Sequence, residues 1–348
     1  LAASAAFSQT ASEPSSPAAC SAILADSDRL ACYDQVFPPV APVAAEIETV
    51  ENVEANGASE ANEASEAVEV EATAPQSLLD SRWELLPTSK LGTFGLRAYQ
   101  PVYVLPWVGA LDPNETPHRG PEGSESAASE DLDRSELKFQ ISWKTKVWQG
   151  VFGDLGDLWV GYTQSSRWQV YNADRSRPFR ETNYEPELTL VFPTRYPLFG
   201  WHGRLLGIGL DHESNGRDGS RSRSINIAFI RPEWHHRRGN GHQLQFTPKI
   251  YSYLDRDENP DIHHYRGYID WRLRYDAAGE WVGTMTARRG TTGKGSLLLD
   301  LSRRARDLRF GPVGGYFHLQ YFHGYGEDIL DYNLRRKSQV RVGFAIVP

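Results

Sequence analysis

Residues 137–144 read LKFQISWK, and their alternation decides the fold. Successive side chains of an extended chain point to opposite faces, so Leu137, Phe139, Ile141 and Trp143 share one side and Lys138, Gln140, Ser142 and Lys144 the other. The pattern returns as Ile269, Trp271, Leu273 and Tyr275 against Tyr268, Asp270, Arg272 and Arg274. It returns again as Val340, Val342, Phe344 and Ile346 against Gln339, Arg341 and Gly343. Working outward, the same reading predicts strands near 93–108, 136–148, 157–171, 183–195, 202–216, 222–235, 241–254, 264–277, 279–289, 294–306, 313–325 and 338–347, with Gly, Asn, Asp and Pro between them. Most are ten residues or longer. That length suits a bilayer, which about 9–11 tilted residues cross, better than a soluble sheet with strands of roughly 5–6 residues.

The polar faces carry Lys138, Lys144, Asp270, Arg272, Arg274, Asp300 and Arg341. So much charge is foreign to the core of a β-sandwich and ordinary in the lumen of an outer-membrane barrel. No segment has the apolar length of a transmembrane helix, so a spanning structure must be a closed barrel with every backbone group paired. Trp107, Trp148, Trp168, Trp234 and Tyr253 fall near strand ends, where interfacial girdles form. The expected fold is all-β, a twelve-stranded antiparallel transmembrane β-barrel. A soluble sandwich is the competing architecture, and it requires the alternating leucines to be covered by a second sheet.

The net charge of −8 is unevenly distributed. Through Ser81, fourteen acidic side chains face the single cation Arg29, which leaves −13 there and +5 on the remainder. Residues 43–77 contain no aromatic residue, Lys or Arg, a composition that cannot offset the entropy of ordering. The expected organisation is a signal-peptide remnant at 1–18, a short segment at 19–40 in which Cys20 and Cys32 form a disulfide if the compartment is oxidising, a disordered acidic linker at 41–80, and the barrel at 81–348. No nucleic-acid partner is expected.

The run LLGIGL (205–210) ends in DHESNGRDGS (211–220). Leu206, Ile208 and Leu210 share a face with His212 and Ser214, so if the leucines meet lipid, the imidazole and hydroxyl do too. Residues at i and i+2 stand roughly 6–7 Å apart at Cα, within reach for a histidine acting as base to a serine. A turn centred on Gly219 sets His212 opposite Asn226 and Ser214 opposite Ser224. Asn226 can then accept the other ring N–H and fix the tautomer, as the acid of a Ser-His-Asp triad does, without the desolvation cost of a carboxylate in lipid. A hydrogen-bonded pair at the membrane interface, without chemistry, is the alternative.

HESNGR (212–217) and SRSINI (222–227), together with GYTQSSRWQVYN (161–172), RPFRETNYEPEL (177–188), NPDIHHYRGY (259–268) and GYGEDILDYN (324–333), resemble the outer membrane phospholipase A family. The resemblance runs from about residue 91 to the C-terminus and leaves the acidic extension outside it. It implies a twelve-stranded barrel in the bacterial outer membrane that hydrolyses phospholipid acyl esters at either glycerol position. It further implies Ser214 as nucleophile, His212 as base and Asn226 as the residue that orients it. Calcium is implied at a homodimer interface, held by the carbonyl of Arg217 and the hydroxyl of Ser222 from one subunit and the carbonyl of Ser176 from the other. Calcium-held water and the Ser214 N–H would stabilise the oxyanion. Gln164 is implied as a polar contact between subunits in the lipid-facing surface, with a hydrogen bond inside one barrel as the alternative. A porin-like or adhesive barrel that retains the motif without activity is the alternative function.

Overall fold

A computed structural model describes residues 77–109, 112–118, 126–311 and 313–348, together with Ile23, Asp28 and Cys32. Apart from those three residues, the expected signal remnant, cysteine-bracketed segment (with Cys20) and linker up to residue 76 lie outside the described residues. The strands are β1 (Leu96–Ala98), β2 (Val102–Gly109), β3 (Leu137–Trp148), β4 (Asp157–Trp168), β5 (Phe179–Leu198), β6 (Trp201–Ser214) and β7 (Ser224–Arg237). They continue as β8 (His242–Asp255), β9 (Ile269–Ala277), β10 (Trp281–Arg289), β11 (Gly295–Phe310), β12 (Val313–Tyr325) and β13 (Arg335–Ile346). Every pairing is antiparallel between sequence neighbours from β2 to β13; β13 returns to β2, and the ladder closes.

The thirteen segments make twelve staves, because β1 and β2 are one strand interrupted at Pro101. Between Ala98↔Trp143 and Tyr103↔Gln140 the first strand advances five residues while β3 advances three. Proline has no N–H to give the ladder, and side chains of β3 fill in. Gln140 Nε2 donates to the Pro101 carbonyl at 2.8 Å, and the Gln100 N–H donates to Ser142 Oγ at 3.1 Å. Other expected boundaries shift as well. β5 begins four residues earlier than expected and passes through Pro186 and Pro193, whereas β9 begins only at Ile269, because Ile262–His264 form a 3-10 turn.

The closed sheet has one apolar face and it is outside. Ile208 is 44% exposed and Leu210 50%, with no second sheet over them among the described residues, and the single ladder closes on itself rather than forming a sandwich. Lys138, Lys144, Arg167, Arg231 and Arg341 are buried inside. The interior holds a cavity of about 300 Å³ and is laced with ion pairs. Glu187 accepts from Arg231 at 3.0 Å and from Lys249 at 3.1 Å, and Lys249 also reaches Asp211 at 2.6 Å. A buried charge is tolerated when paired in this way. Trp107 and Trp148 point outward near strand ends, as girdle residues do.

The lumen also holds a helix. Ser77–Asp80, assigned by sequence to the linker, belong with the barrel: they form the cap and first turn of α1 (Leu78–Trp83). Ser77 Oγ accepts from the Asp80 N–H, and Asp80 Oδ2 accepts from the Ser77 N–H, a reciprocal cap that satisfies two otherwise orphaned donors. Asp80 is also held by Arg204 Nε at 3.0 Å. Leu79 and Trp83 pack with Tyr99, Trp159, Val191 and Leu205. The Lys144 ammonium lies 3.0 Å from the centroid of the Trp83 ring and takes no hydrogen bond among the described residues, so the aromatic face is its principal partner. We therefore expect Trp83→Ala to lower unfolding stability by about 3–5 kcal/mol in a urea titration of the detergent-folded protein. Phe199→Ala, at an exposed turn, should stay within about 0.5 kcal/mol of the parent.

Candidate active site

β6 and β7 form a hairpin whose register places the sequence-predicted residues as expected: His212 faces Asn226 and Ser214 faces Ser224. Opposed residues point to one face. On β6 that face also carries the exposed Ile208 and Leu210, while Asp211 turns inward to Lys249 and Glu213 to Arg266. His212 Nδ1 and Asn226 Oδ1 are 2.8 Å apart. An amide oxygen can only accept, so Nδ1 carries the proton and the Nε2 lone pair is left available as a base. Ser214 is half-buried two residues along the same face; among the described residues its hydroxyl makes no hydrogen bond to the imidazole.

The loop after Ser214 is shaped by a residue that the sequence reading passed over. Asn215, buried, accepts from the Arg217 N–H at 3.3 Å and the Arg223 N–H at 3.0 Å, and donates from Nδ2 to the Arg221 carbonyl at 2.8 Å. One side chain thereby closes the turn that carries Arg217 and Ser222. Gly216 at φ +63° and Gly219 at φ +58° supply the left-handed residues the turn needs. The Tyr184 ring, 3.2 Å from where a Cβ on Gly216 would sit, leaves that position little room. An asparagine between a serine and a glycine is the signal that could have revealed this clamp.

The calcium residues implied by the resemblance are distributed over two loops. Ser222 lies in the β6–β7 loop, and Ser176 lies between β4 and β5 with a left-handed backbone, φ +56°. Arg217 joins the two regions: its guanidinium donates to the Phe179 carbonyl at 3.0 Å and reaches Glu181 at 3.4 Å. Sequence reading also missed Glu258. Its carboxylate accepts from Ser222 Oγ at 2.6 Å and from Ser224 Oγ at 2.9 Å. Among the described residues no three His, Cys, Asp or Glu side chains gather to hold a metal. The donors available are a hydroxyl, carbonyls and this one carboxylate, all oxygens and so of the kind a hard cation takes.

Gln164 belongs to a polar rail on the outer face of β4. Tyr162 Oη donates to Gln164 Oε1 at 2.9 Å, Gln164 Nε2 donates to Ser166 Oγ at 3.3 Å, and Thr182 Oγ1 donates to Ser166 Oγ at 3.1 Å. Arg180, by contrast, is buried with Glu136, Asp328 and Asp331.

A second serine–histidine–acid array lies inside the barrel. Ser302 Oγ is 2.8 Å from His318 Nδ1, and His318 Nε2 is 3.2 Å from Asp300 Oδ1. Ser302 and His318 are each 2% exposed, and Tyr103 stacks on the imidazole. An ester has no route to that hydroxyl, so the array is part of the packed wall.

The outward site and the closed barrel agree with the relatives. The sequence pattern of the family described as Phospholipase A1 matches residues 79–346. The chain belongs to that family. This places it among ester hydrolases built as integral outer-membrane barrels. Phospholipase A1 of Escherichia coli K12 is 36% identical over 221 residues, which is 63% of this chain and 71% of that protein. A putative phospholipase A1 of Neisseria meningitidis serogroup B is 35% identical over 260 residues, 71% of this chain; the match spans 64% of the Neisseria protein's length. Among solved structures, the Salmonella typhi outer membrane phospholipase dimer with bound calcium superposes with a TM-score of 0.60 at 31% identity, covering 73% of this chain and 92% of that one. An E. coli outer membrane phospholipase A with an active-site asparagine replaced by alanine gives 0.63 at 29% identity, covering 78% and 98%.

Removing the Asn215 clamp tests how this loop is built. Asn215→Ala removes the side-chain bonds that hold two N–H groups and a carbonyl of the turn, at a cost of about 1–3 kcal/mol for each group that water does not reach. Limited proteolysis should then cut within 216–222 faster than in the parent.

Proposed function

We propose that this phospholipase A1 family member hydrolyses phospholipid acyl esters at the outer surface of its barrel, with Ser214 as nucleophile, His212 as base and Asn226 as the residue that orients the base. The observation that carries this reading is the 2.8 Å His212–Asn226 bond on the face that also exposes Ile208 and Leu210. An acyl chain can lie against those apolar side chains while its ester reaches Ser214. That the E. coli neighbour has an asparagine in its active site supports a place for Asn226 in this one.

Ser214 Oγ attacks the carbonyl carbon as its proton passes to His212 Nε2. Asn226 Oδ1, holding Nδ1–H, keeps the ring in the tautomer that can take that proton and steadies the imidazolium that results. His212 returns the proton to the departing glycerol oxygen and leaves an acyl-serine. It next draws a proton from water as the water oxygen attacks the acyl carbon, and gives that proton to Ser214 Oγ as the Oγ–acyl bond breaks and the fatty acid is released. Attack at either glycerol position needs the same few atoms, so this reading includes both A1 and A2 cleavage.

Calcium fits the oxygen donors. It would be held by the Arg217 carbonyl, the Ser222 hydroxyl and Ser176 of the partner subunit, with Glu258 adding charge beside Ser222. When bound, it supplies positive charge near the developing oxyanion. The Salmonella neighbour, a dimer with bound calcium, supports both the ion and the second copy. Gln164, half-buried on the outer face of β4, would meet its counterpart across that interface.

The test is fatty-acid release from phospholipid–detergent mixed micelles. We expect Ser214→Ala to abolish release, and Asn226→Ala to lower kcat by about tenfold to a hundredfold, the loss of one orienting hydrogen bond. Parent that releases no fatty acid with calcium present would identify a silent barrel instead. A chelator should stop the parent, and Glu258→Gln should raise the calcium concentration needed for half-maximal rate. Release that persists undiminished in chelator would remove calcium from the mechanism.

A further inference from the structure

The short turns of the barrel lie at one end: residues 199–200, 278–280 and 311–312 join β5–β6, β9–β10 and β11–β12. Longer connections such as 169–178 and 256–268 lie at the other, with the candidate active site. In outer-membrane barrels the short turns face the periplasm. At that end the β11–β12 hairpin extends past both neighbours. Pairing with β10 stops at Trp281↔Arg303, yet β11 runs on to Phe310, and pairing of β12 with β13 starts only at Tyr316. Within the extension the register jumps from Ala305↔Gly315 to Arg309↔Gly314, so residues 306–308 bulge. A bulge re-aims side chains.

The protruding segment reads RRARDLR from Arg303 to Arg309, four arginines against one aspartate. All four are exposed. Arg303, Arg304 and Arg309 form no ion pair among the described residues. Arg306 has only Glu280, at 3.8 Å, with the two side chains 82% and 53% exposed, a contact too solvated to neutralise it. With Arg304 and Arg309 free of ion pairs among the described residues and Arg306 in only a solvated one, most of the cluster's charge is held open.

Its depth is set by the outward row it continues. Leu299 and Leu301 point to lipid from β11, and Leu319 and Val342 extend that band. The next residue outward is Arg303, whose guanidinium lies 5.3 Å over the exposed Trp281 ring and whose other cross-strand neighbour is the exposed Phe317. Tryptophan and a snorkelling arginine mark the edge of the hydrocarbon. Arg304, Arg306 and Arg309 come after that edge. We propose that this hairpin is a recognition surface for anionic phospholipid headgroups of the leaflet at the short-turn end, with the arginines donating to lipid phosphates. Guanidinium forks match phosphate oxygens, and an anionic surface attracts cations placed within a Debye length of it. The surface is at the opposite end of the barrel from Ser214, so the inference is independent of the catalytic assignment.

The full chain, folded in detergent, is titrated with ether-linked phosphatidylglycerol or phosphatidylcholine, which an esterase cannot consume, and retained lipids are counted by native mass spectrometry. The parent is expected to prefer phosphatidylglycerol by about tenfold, with the preference shrinking as sodium chloride is raised. R304Q/R306Q/R309Q is expected to bring the ratio near one while fatty-acid release from mixed micelles is unchanged. If that variant does not fold, Arg306→Gln alone is expected to reduce the ratio severalfold. Equal retention of the two lipids by the parent, or an undiminished preference in a folded variant, would overturn the proposal. So would a parent preference that does not respond to salt.

Discussion

A strand surrounded by hydrocarbon can place its N–H and C=O groups only on another strand, and in this chain the return of β13 to β2 completes that requirement. Closure fixes everything else. Once no edge remains, each residue is committed to lipid or lumen by its parity, and a slip of one residue would exchange leucines for arginines along a whole strand. The paired charges of the lumen and the bare leucines outside are two results of one geometric condition.

The same condition explains which of two serine–histidine arrays is suited to lipid chemistry. Ser302, His318 and Asp300 keep a carboxylate in the polar lumen, where Gln320 donates to it at 2.9 Å, and are sealed there. His212 and Ser214 lie on the lipid side, where a carboxylate would be costly and the neutral amide of Asn226 takes its place. Asn215 and the two left-handed glycines then fold the loop that carries Arg217 and Ser222 back toward β7.

Much of this was legible because period-two alternation is a local property. LKFQISWK shows its two faces without knowledge of its neighbours, and the hairpin arithmetic that set His212 against Asn226 needed only the position of one turn. What was not legible depends on partners distant in sequence. LLDSRW is too short for a helical period, and its burial is decided by Lys144, Trp159 and Arg204, which lie some 60 to 120 residues away. Glu258 is one acid among Asp255, Asp257 and Asp261, and only the folded β8–β9 loop selects it for Ser222. The interruption at Pro101 was hidden because Gln140 and Ser142 on the next strand supply the missing bonds. RRAR ends the alternation of β11, so pattern alone closes the strand at residue 306, short of Phe310.

The reciprocal cap on α1 bears on how the barrel is assembled. The helix precedes the first stave in the chain and sits within the wall formed by all the others, with Trp83 under Lys144 and Asp80 against Arg204. A ring that joins its first and last strands around such an object must either already hold the helix when the seam between β2 and β13 is made, or admit it afterwards through the short-turn mouth. In the first case α1 is a template around which charged strand faces find their order. In the second it is a stopper that arrives after closure, and a transient open lumen precedes the finished protein. The moment at which these six residues dock thus decides whether an open lumen precedes the finished barrel.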